Sequence, residues 1–274
     1  MKKIKSSLII KILVPLAYVA MVTVNFLANS LPINNITPGQ VSDSYPNLFA
    51  PAGFTFSIWG LIYLFLGAYA IYQLGIFKKI KINDKLQTVY DKIGLYFIIS
   101  SLANLLWIFA WHYDFIGLSL LLIIGMLICL IKIADTLRVQ KLKTLDFWLL
   151  KTPFSLYFGW ITVAAIANVT VFLVSINWRG FGLADITWLA IILVVATIIG
   201  LGRMLYDKDV IYGLVLIWAY FGILSKHLSV SGFNSMYPLA IVILIISMIL
   251  FLSANILLIA KPSYLDRIKF CKRR

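Results

Sequence analysis

The sequence predicts an all-α integral membrane protein with eight transmembrane helices, and three observations predict it. The first is composition: of 274 residues, 62% are apolar and only 12% charged, whereas a soluble domain is about half apolar and a quarter charged. The second is that the apolar residues fall into long runs. The third is that the basic residues alternate between the two sides those runs define. At roughly 20 residues per crossing, the length leaves room for about seven to nine helices in one or two membrane units.

The runs span about 7–28, 51–77, 93–112, 115–134, 152–176, 185–205, 210–227 and 238–260. With the N-terminus in the cytoplasm, the inner side collects Lys2, Lys3, Lys5 and Lys11, then Lys78, Lys79, Lys81, Lys85 and Lys92. It continues with Lys132, Arg138, Lys141, Lys143, Lys151, Arg203 and Lys208, and the tail adds Lys261, Arg267, Lys269, Lys272, Arg273 and Arg274. Of the 24 basic residues, only Arg179 and Lys226 fall outside. Cytoplasmic loops are enriched in Lys and Arg, so a multi-pass protein of the cell membrane with both termini cytoplasmic is expected. The net charge of +14 would suggest nucleic acid in a soluble chain, but a nucleic-acid surface has no reason to alternate in this way.

The first run has the basic start of a signal peptide, but residues 12–28 are longer than the usual apolar region and a poor cleavage site follows. An uncleaved helix is the expectation. The first two spans are joined by Asn29 to Ala50, which holds Pro32, Pro38 and Pro46 and reads as non-helical. Its Tyr45, Leu48 and Phe49 favour packing over solvation, which would make it a lid. The inner stretches 78–92 and 135–151 mix Lys with apolar residues and read as interfacial connectors. Cys129 and Cys271 are too separated to form a framework; acylation of Cys271 is the rarer alternative to an inert thiol.

Of eight tryptophans, Trp111, Trp148, Trp178 and Trp188 lie near span ends, where an aromatic belt places them. Trp59, Trp107, Trp160 and Trp218 lie deeper, and a deep indole needs a partner for its N–H. Trp59 and Tyr63 share a helix face at i, i+4; Asn104 and Trp107 do so at i, i+3; Trp160, Ala164 and Asn168 do so at i, i+4, i+8. Carboxamides in lipid must pair, so Asn104 and Asn168 should point into the bundle. With Asn25, these groups outline a hollow in the outer half, beneath the lid residues Tyr45, Phe49 and Pro51. Each residue alone is more often a helix-packing residue than a ligand contact; their shared depth and the overlying loop are what argue for a pocket.

The run P-A-G-F-T-F-S-I-W-G-L-I-Y-L-F-L-G, residues 51–67, resembles the second helix of the tryptophan-rich sensory protein / translocator protein (TspO/MBR) family. Pro51, Trp59, Tyr63 and Gly67 fall on matching positions. A-N-L-L-W, residues 103–107, is similar to the family's Leu-Asn-x-Leu-Trp through Asn104, Leu106 and Trp107. W-I-T-V-A-A-I-A-N, residues 160–168, is similar to its Trp-Val-x-Phe-Ala-x-x-Leu-Asn through Trp160, Ala164 and Asn168. The departures are Gly53, Phe56 and Ser57 in place of Trp, Gly and Pro, and Ile108 in place of Ser. The family's sterol-associated pattern does not follow the fifth span, so sterol binding does not carry over.

The resemblance covers the first five helices. It implies that residues 1–178 are a TspO-like five-helix membrane domain and that 179–274 are a three-helix membrane extension with a basic cytoplasmic tail. It also implies a membrane-embedded binding protein for a hydrophobic or tetrapyrrole-like small molecule, haem or porphyrin among them, with a sensory or regulatory role. Trp59, Tyr63, Asn104, Trp107, Trp160, Ala164 and Asn168 would line the pocket.

The alternative is a secondary transporter or passive carrier, but no internal repeat and no isolated mid-span acid or Lys favours it. An enzyme is not expected. Without any Glu there is no metalloprotease helix; His112 and His227 read as interfacial residues, and Arg203–Asp207 as an i, i+4 pair. Ser155 and Gly159 offer a small-residue face for close helix contact, and a homo-oligomer stays open.

Overall fold

The computed structural model describes residues 2–31, 33–75, 84–140 and 142–260. All regular structure among them is helical, and eight helices are long and apolar enough to cross a bilayer. They are α1 (Lys2–Ser30), α2 (Ile58–Gln73), α3 (Asp84–His112), α4 (Ile116–Arg138), α5 (Thr152–Ser175), α6 (Asp185–Asp207), α7 (Val210–Leu228) and α8 (Pro238–Ile259). The protein is therefore a multi-pass α-helical membrane protein. Lipid cannot hydrogen-bond a backbone, so only structures that satisfy themselves internally can cross it. Large apolar side chains accordingly face outward: Leu64, Leu121 and Ile198 are each about two-thirds exposed.

Local chemistry sets the helix ends. The Asp209 carboxylate accepts the Tyr212 backbone N–H at 3.2 Å and caps α7. Lys208, in the left-handed region at φ 50°, closes α6. Pro238 stands at the start of α8, where its missing N–H costs nothing. At 1.5 Å per residue, α2 alone reaches only about 24 Å. A 3-10 turn, Gly53–Ser57, runs directly into it and lengthens the crossing.

One expectation about connectors needs correction. The stretch from Asn29 to Ala50 is partly helical: α1 runs to Ser30, a 3-10 turn covers Ile33–Asn35, and a short helix covers Pro38–Asp43. Pro38 opens that helix instead of breaking it. Asn34 and Asn35, at φ 56° and 59°, make the preceding turn, a conformation that suits Asn better than most side chains. The connector before the fifth span is also helical. Thr144–Asp146 leads into a π-helical turn, Phe147–Lys151, that continues into α5. Lys78, Lys79, Lys81, Lys141 and the tail with Cys271 lie outside the described residues.

The described chain forms two compact units, with the division falling inside α5. One holds residues 2–38 and Trp59–Phe158; the other holds Gly39–Ile58 and 159–260. In the first unit, α3 packs on both α1 and α4. Gly94 of α3 lets α1 approach: a Cβ there would stand 2.5 Å from an Ile10 methyl. Tyr69, Phe97 and Phe154 pack edge to face, with centroids 4.7–5.9 Å apart. Near the ends of these helices, the Tyr72 and Tyr90 hydroxyls both donate to one Asp146 oxygen, at 2.6 and 2.5 Å. Hydrogen bonds to a charged acceptor are the strong kind. Asp146→Asn should therefore lower stability in detergent by about 1–2 kcal/mol, read as a fall in Tm. An unchanged Tm would leave the pair of tyrosines without a structural role.

In the second unit, α6, α7 and α8 pack on one another. The Thr197 hydroxyl donates to Ser247 Oγ at 2.9 Å and lies 3.1 Å from the Tyr220 hydroxyl, a buried polar cluster among three helices. The segment Gly39–Ile58 is fastened along α7 at four points. Asp43 pairs with Lys226 at 2.9 Å, and the Leu48 carbonyl accepts from His227 Nε2 at 3.0 Å. The Ala52 N–H donates to the Gly222 carbonyl at 3.0 Å, and Trp218 Nε1 donates to the Thr55 carbonyl at 3.0 Å. Phe49 is buried at 2% exposure. The segment is a packed element and not a solvated linker.

Candidate functional site

In the first unit, the polar positions of α1, α3 and α5 meet. Asn25 Nδ2 donates to Asn104 Oδ1 at 2.7 Å, and Asn104 Nδ2 donates to the Tyr157 hydroxyl at 3.3 Å. Tyr157 in turn donates to Met126 Sδ at 3.4 Å. Both carboxamides are buried, as lipid requires of amides that find each other.

The aromatic part joins on at Tyr157. Trp59 lies 6.0 Å from it at a 59° tilt and stacks on Tyr63 at 5.2 Å and 17°. The Tyr63 carbonyl accepts the Tyr18 hydroxyl at 3.0 Å, and a Cβ on Gly67 would collide with that same hydroxyl. Trp59, Tyr63 and Asn104 thus belong to one array, with Asn25, Tyr18 and Tyr157 beside them. Trp107 stacks on Trp111 at 5.5 Å and 19°. The Tyr63 hydroxyl and the Trp107 indole N–H are buried without a hydrogen-bond partner. Such groups cost free energy unless something satisfies them.

The other predicted residues belong to the second unit. Trp160 meets Phe56 edge-on at 6.0 Å, and Asn168 is buried. Ala164 is partly buried on the same helix. Of the lid residues, Phe49 is buried and Tyr45 and Pro51 are partly so. Neighbouring Asn47 organises the turn there: its Oδ1 accepts the Phe49 N–H at 3.1 Å, and its Nδ2 donates to the Tyr45 carbonyl at 2.9 Å.

This unit also holds a cavity of about 360 Å³ with segment 46–49 as one wall. Its indoles are Trp178 and Trp188, which the belt reading consigned to span ends. Trp111, also near a span end, is buried, and its indole donates to the Pro38 carbonyl at 3.1 Å. A sharper signal was available in R-G-F-G, residues 179–182, where two glycines bracket a Phe beside two tryptophans.

The histidines are tied down by backbone carbonyls. His112 Nδ1 donates to Ile108 at 2.7 Å, and His227 Nε2 donates to Leu48. Among the described residues no three His, Cys, Asp or Glu side chains cluster as metal ligands. Arg203 Nε donates to Asp207 Oδ2 at 2.6 Å, the i, i+4 pair expected from their spacing.

No curated protein and no solved structure matches the chain. One family does, and its match does not stop after the fifth helix. It runs over residues 11–256, into the eighth span. With that coverage, the chain belongs to the TSPO-like protein family.

Proposed function

We propose that this chain is a membrane-embedded binding protein for a hydrophobic or tetrapyrrole-like small molecule, with a sensory or regulatory role. The observation that carries the reading is the parallel Trp59–Tyr63 stack, tilted against Tyr157 and buttressed by the Asn25–Asn104 pair. Flat aromatic faces held by a hydrogen-bonded scaffold suit a flat, apolar ligand, which gains area and stacking at little cost in side-chain ordering. The Tyr63 hydroxyl and Trp107 N–H supply two donors that a ligand carboxylate or carbonyl would satisfy. Trp160, Ala164 and Asn168, with Tyr45, Phe49 and Pro51, are proposed contacts and lid from their sequence positions alone; they belong to the second unit, and the proposal rests on the Trp59 array. Asn104 serves by positioning Tyr157.

The test is titration of the purified protein with protoporphyrin while its tryptophan fluorescence is followed. Saturable quenching is expected, weakened about three- to tenfold by Trp59→Phe or Trp107→Phe, as for the loss of one aromatic contact of about 1 kcal/mol. Quenching of unchanged midpoint in both variants would remove the site. Uptake into liposomes that depends on an ion gradient would favour the carrier alternative.

A further inference from the structure

The cavity of about 360 Å³ in the second unit is large enough for a small organic ligand. Its walls are segment 46–49, the end of α5, the turn after it, the first turns of α6, and the stretch before α8. Five aromatic residues line it: Phe49, Trp178, Trp188, Phe233 and Tyr237. Asp185 is the one charged side chain on the lining among the described residues. Neither Arg179, in the turn after α5, nor Lys226, in the last turn of α7, is on the lining.

These aromatic walls are fixed from behind. Trp188 Nε1 donates to the Gly180 carbonyl at 2.8 Å, and Trp178 leans on it at 4.9 Å and 60°. Gly180 sits at φ +58°, and a Cβ there would stand 2.6 Å from Trp188 Nε1. Only glycine lets the turn and the indole occupy that space. On the far side, Phe233 and Tyr237 meet edge to face at 5.6 Å. Both pack on the His227 ring, at 4.7 and 5.9 Å, and that ring is anchored by its Nε2 donating to the Leu48 carbonyl.

Electron-rich ring faces around one carboxylate, without a competing cation on the wall, are the chemistry that recognises an organic cation. We infer that this cavity is a binding site for a flat, hydrophobic cation whose charge sits by Asp185 and whose rings lie between the Trp178–Trp188 and Phe233–Tyr237 walls. A neutral ligand of the same shape would gain the stacking and lose the charge term. None of these residues belongs to the Trp59 array, so the two proposals succeed or fail separately.

The experiment compares ethidium, a flat phenanthridinium cation, with phenanthridine, its neutral parent, at a pH where the latter is uncharged. Binding to the full chain in lipid nanodiscs is read by calorimetry against empty nanodiscs. Ethidium should bind saturably and more tightly than phenanthridine. Asp185→Asn, which keeps the shape, should weaken ethidium about fivefold, as for a partly solvated charge pair, and leave phenanthridine within about twofold. Trp188→Leu should weaken both by about tenfold. Ethidium affinity unchanged in Asp185→Asn, phenanthridine binding as tightly as ethidium, or uptake no greater than by empty nanodiscs would each overturn the assignment.

Discussion

Replacing Gly222 by valine should release the segment Gly39–Ile58 from α7. Gly222 lies where Thr55 crosses the helix, and even a Cβ would overlap the Thr55 side chain at three atoms. All three belong to one β-branched side chain held stiff at χ1, so little can move aside. The Ala52 N–H to Gly222 carbonyl bond and the Trp218 to Thr55 bond lie within the same contact and should go with it. Overpacking costs about 1–3 kcal/mol, and two lost hydrogen bonds near a membrane add about 0.6 kcal/mol each. A total of about 3 kcal/mol is expected. Thermal unfolding in detergent should shift down, and limited proteolysis between residues 43 and 50 should quicken. An unshifted transition with unchanged cleavage would show that the segment is held by something other than this crossing.

Asn104→Ala should cost nearly as much, for a different reason. Asn104 is fully buried and bonds on both sides. Its loss leaves the Tyr157 hydroxyl with one partner fewer and Asn25 Nδ2 with only the Met21 carbonyl at 2.9 Å. Stranding buried donors costs about 1–3 kcal/mol in soluble proteins, and membrane helices fall at the lower end. About 2 kcal/mol is expected. A cycle with Asn25→Ala should give a coupling near 1 kcal/mol. Additive losses would mean the 2.7 Å contact contributes nothing. Because Tyr157 tilts against Trp59, Asn104→Ala should also broaden the tryptophan emission. Asn25→Ala, one step further from the ring, should do so less.

The spans were legible in the sequence because lipid demands long apolar runs, and no tertiary contact can relax that demand. The inward pointing of Asn104 was legible for the same reason, and the Trp59–Tyr63 stack followed from helical spacing. Tyr157 was not, since a tyrosine within P-F-S-L-Y-F reads as one more core aromatic until Asn104 is seen beside it. The hydrogen-bond partners of Trp111 and Trp188 were not legible, although both tryptophans lie near span ends as read. Their indoles bond to the carbonyls of Pro38 and Gly180, and neither partner follows from a periodicity. The seat of Gly39–Ile58 on α7 was hidden too. Thr55 and Trp218 are 163 residues apart, and a glycine that admits a crossing strand of backbone leaves no pattern of its own.

That long-range fastening has a bearing on how the chain is made. Asp43 and Lys226 are separated by 183 residues, and a ribosome adds about 5–20 residues per second. After Gly39–Ile58 emerges, roughly 10–40 seconds therefore elapse before its partners exist. Throughout that interval the segment lacks its four contacts with α7. The face that meets α7 stays uncovered while the later helices are still being made.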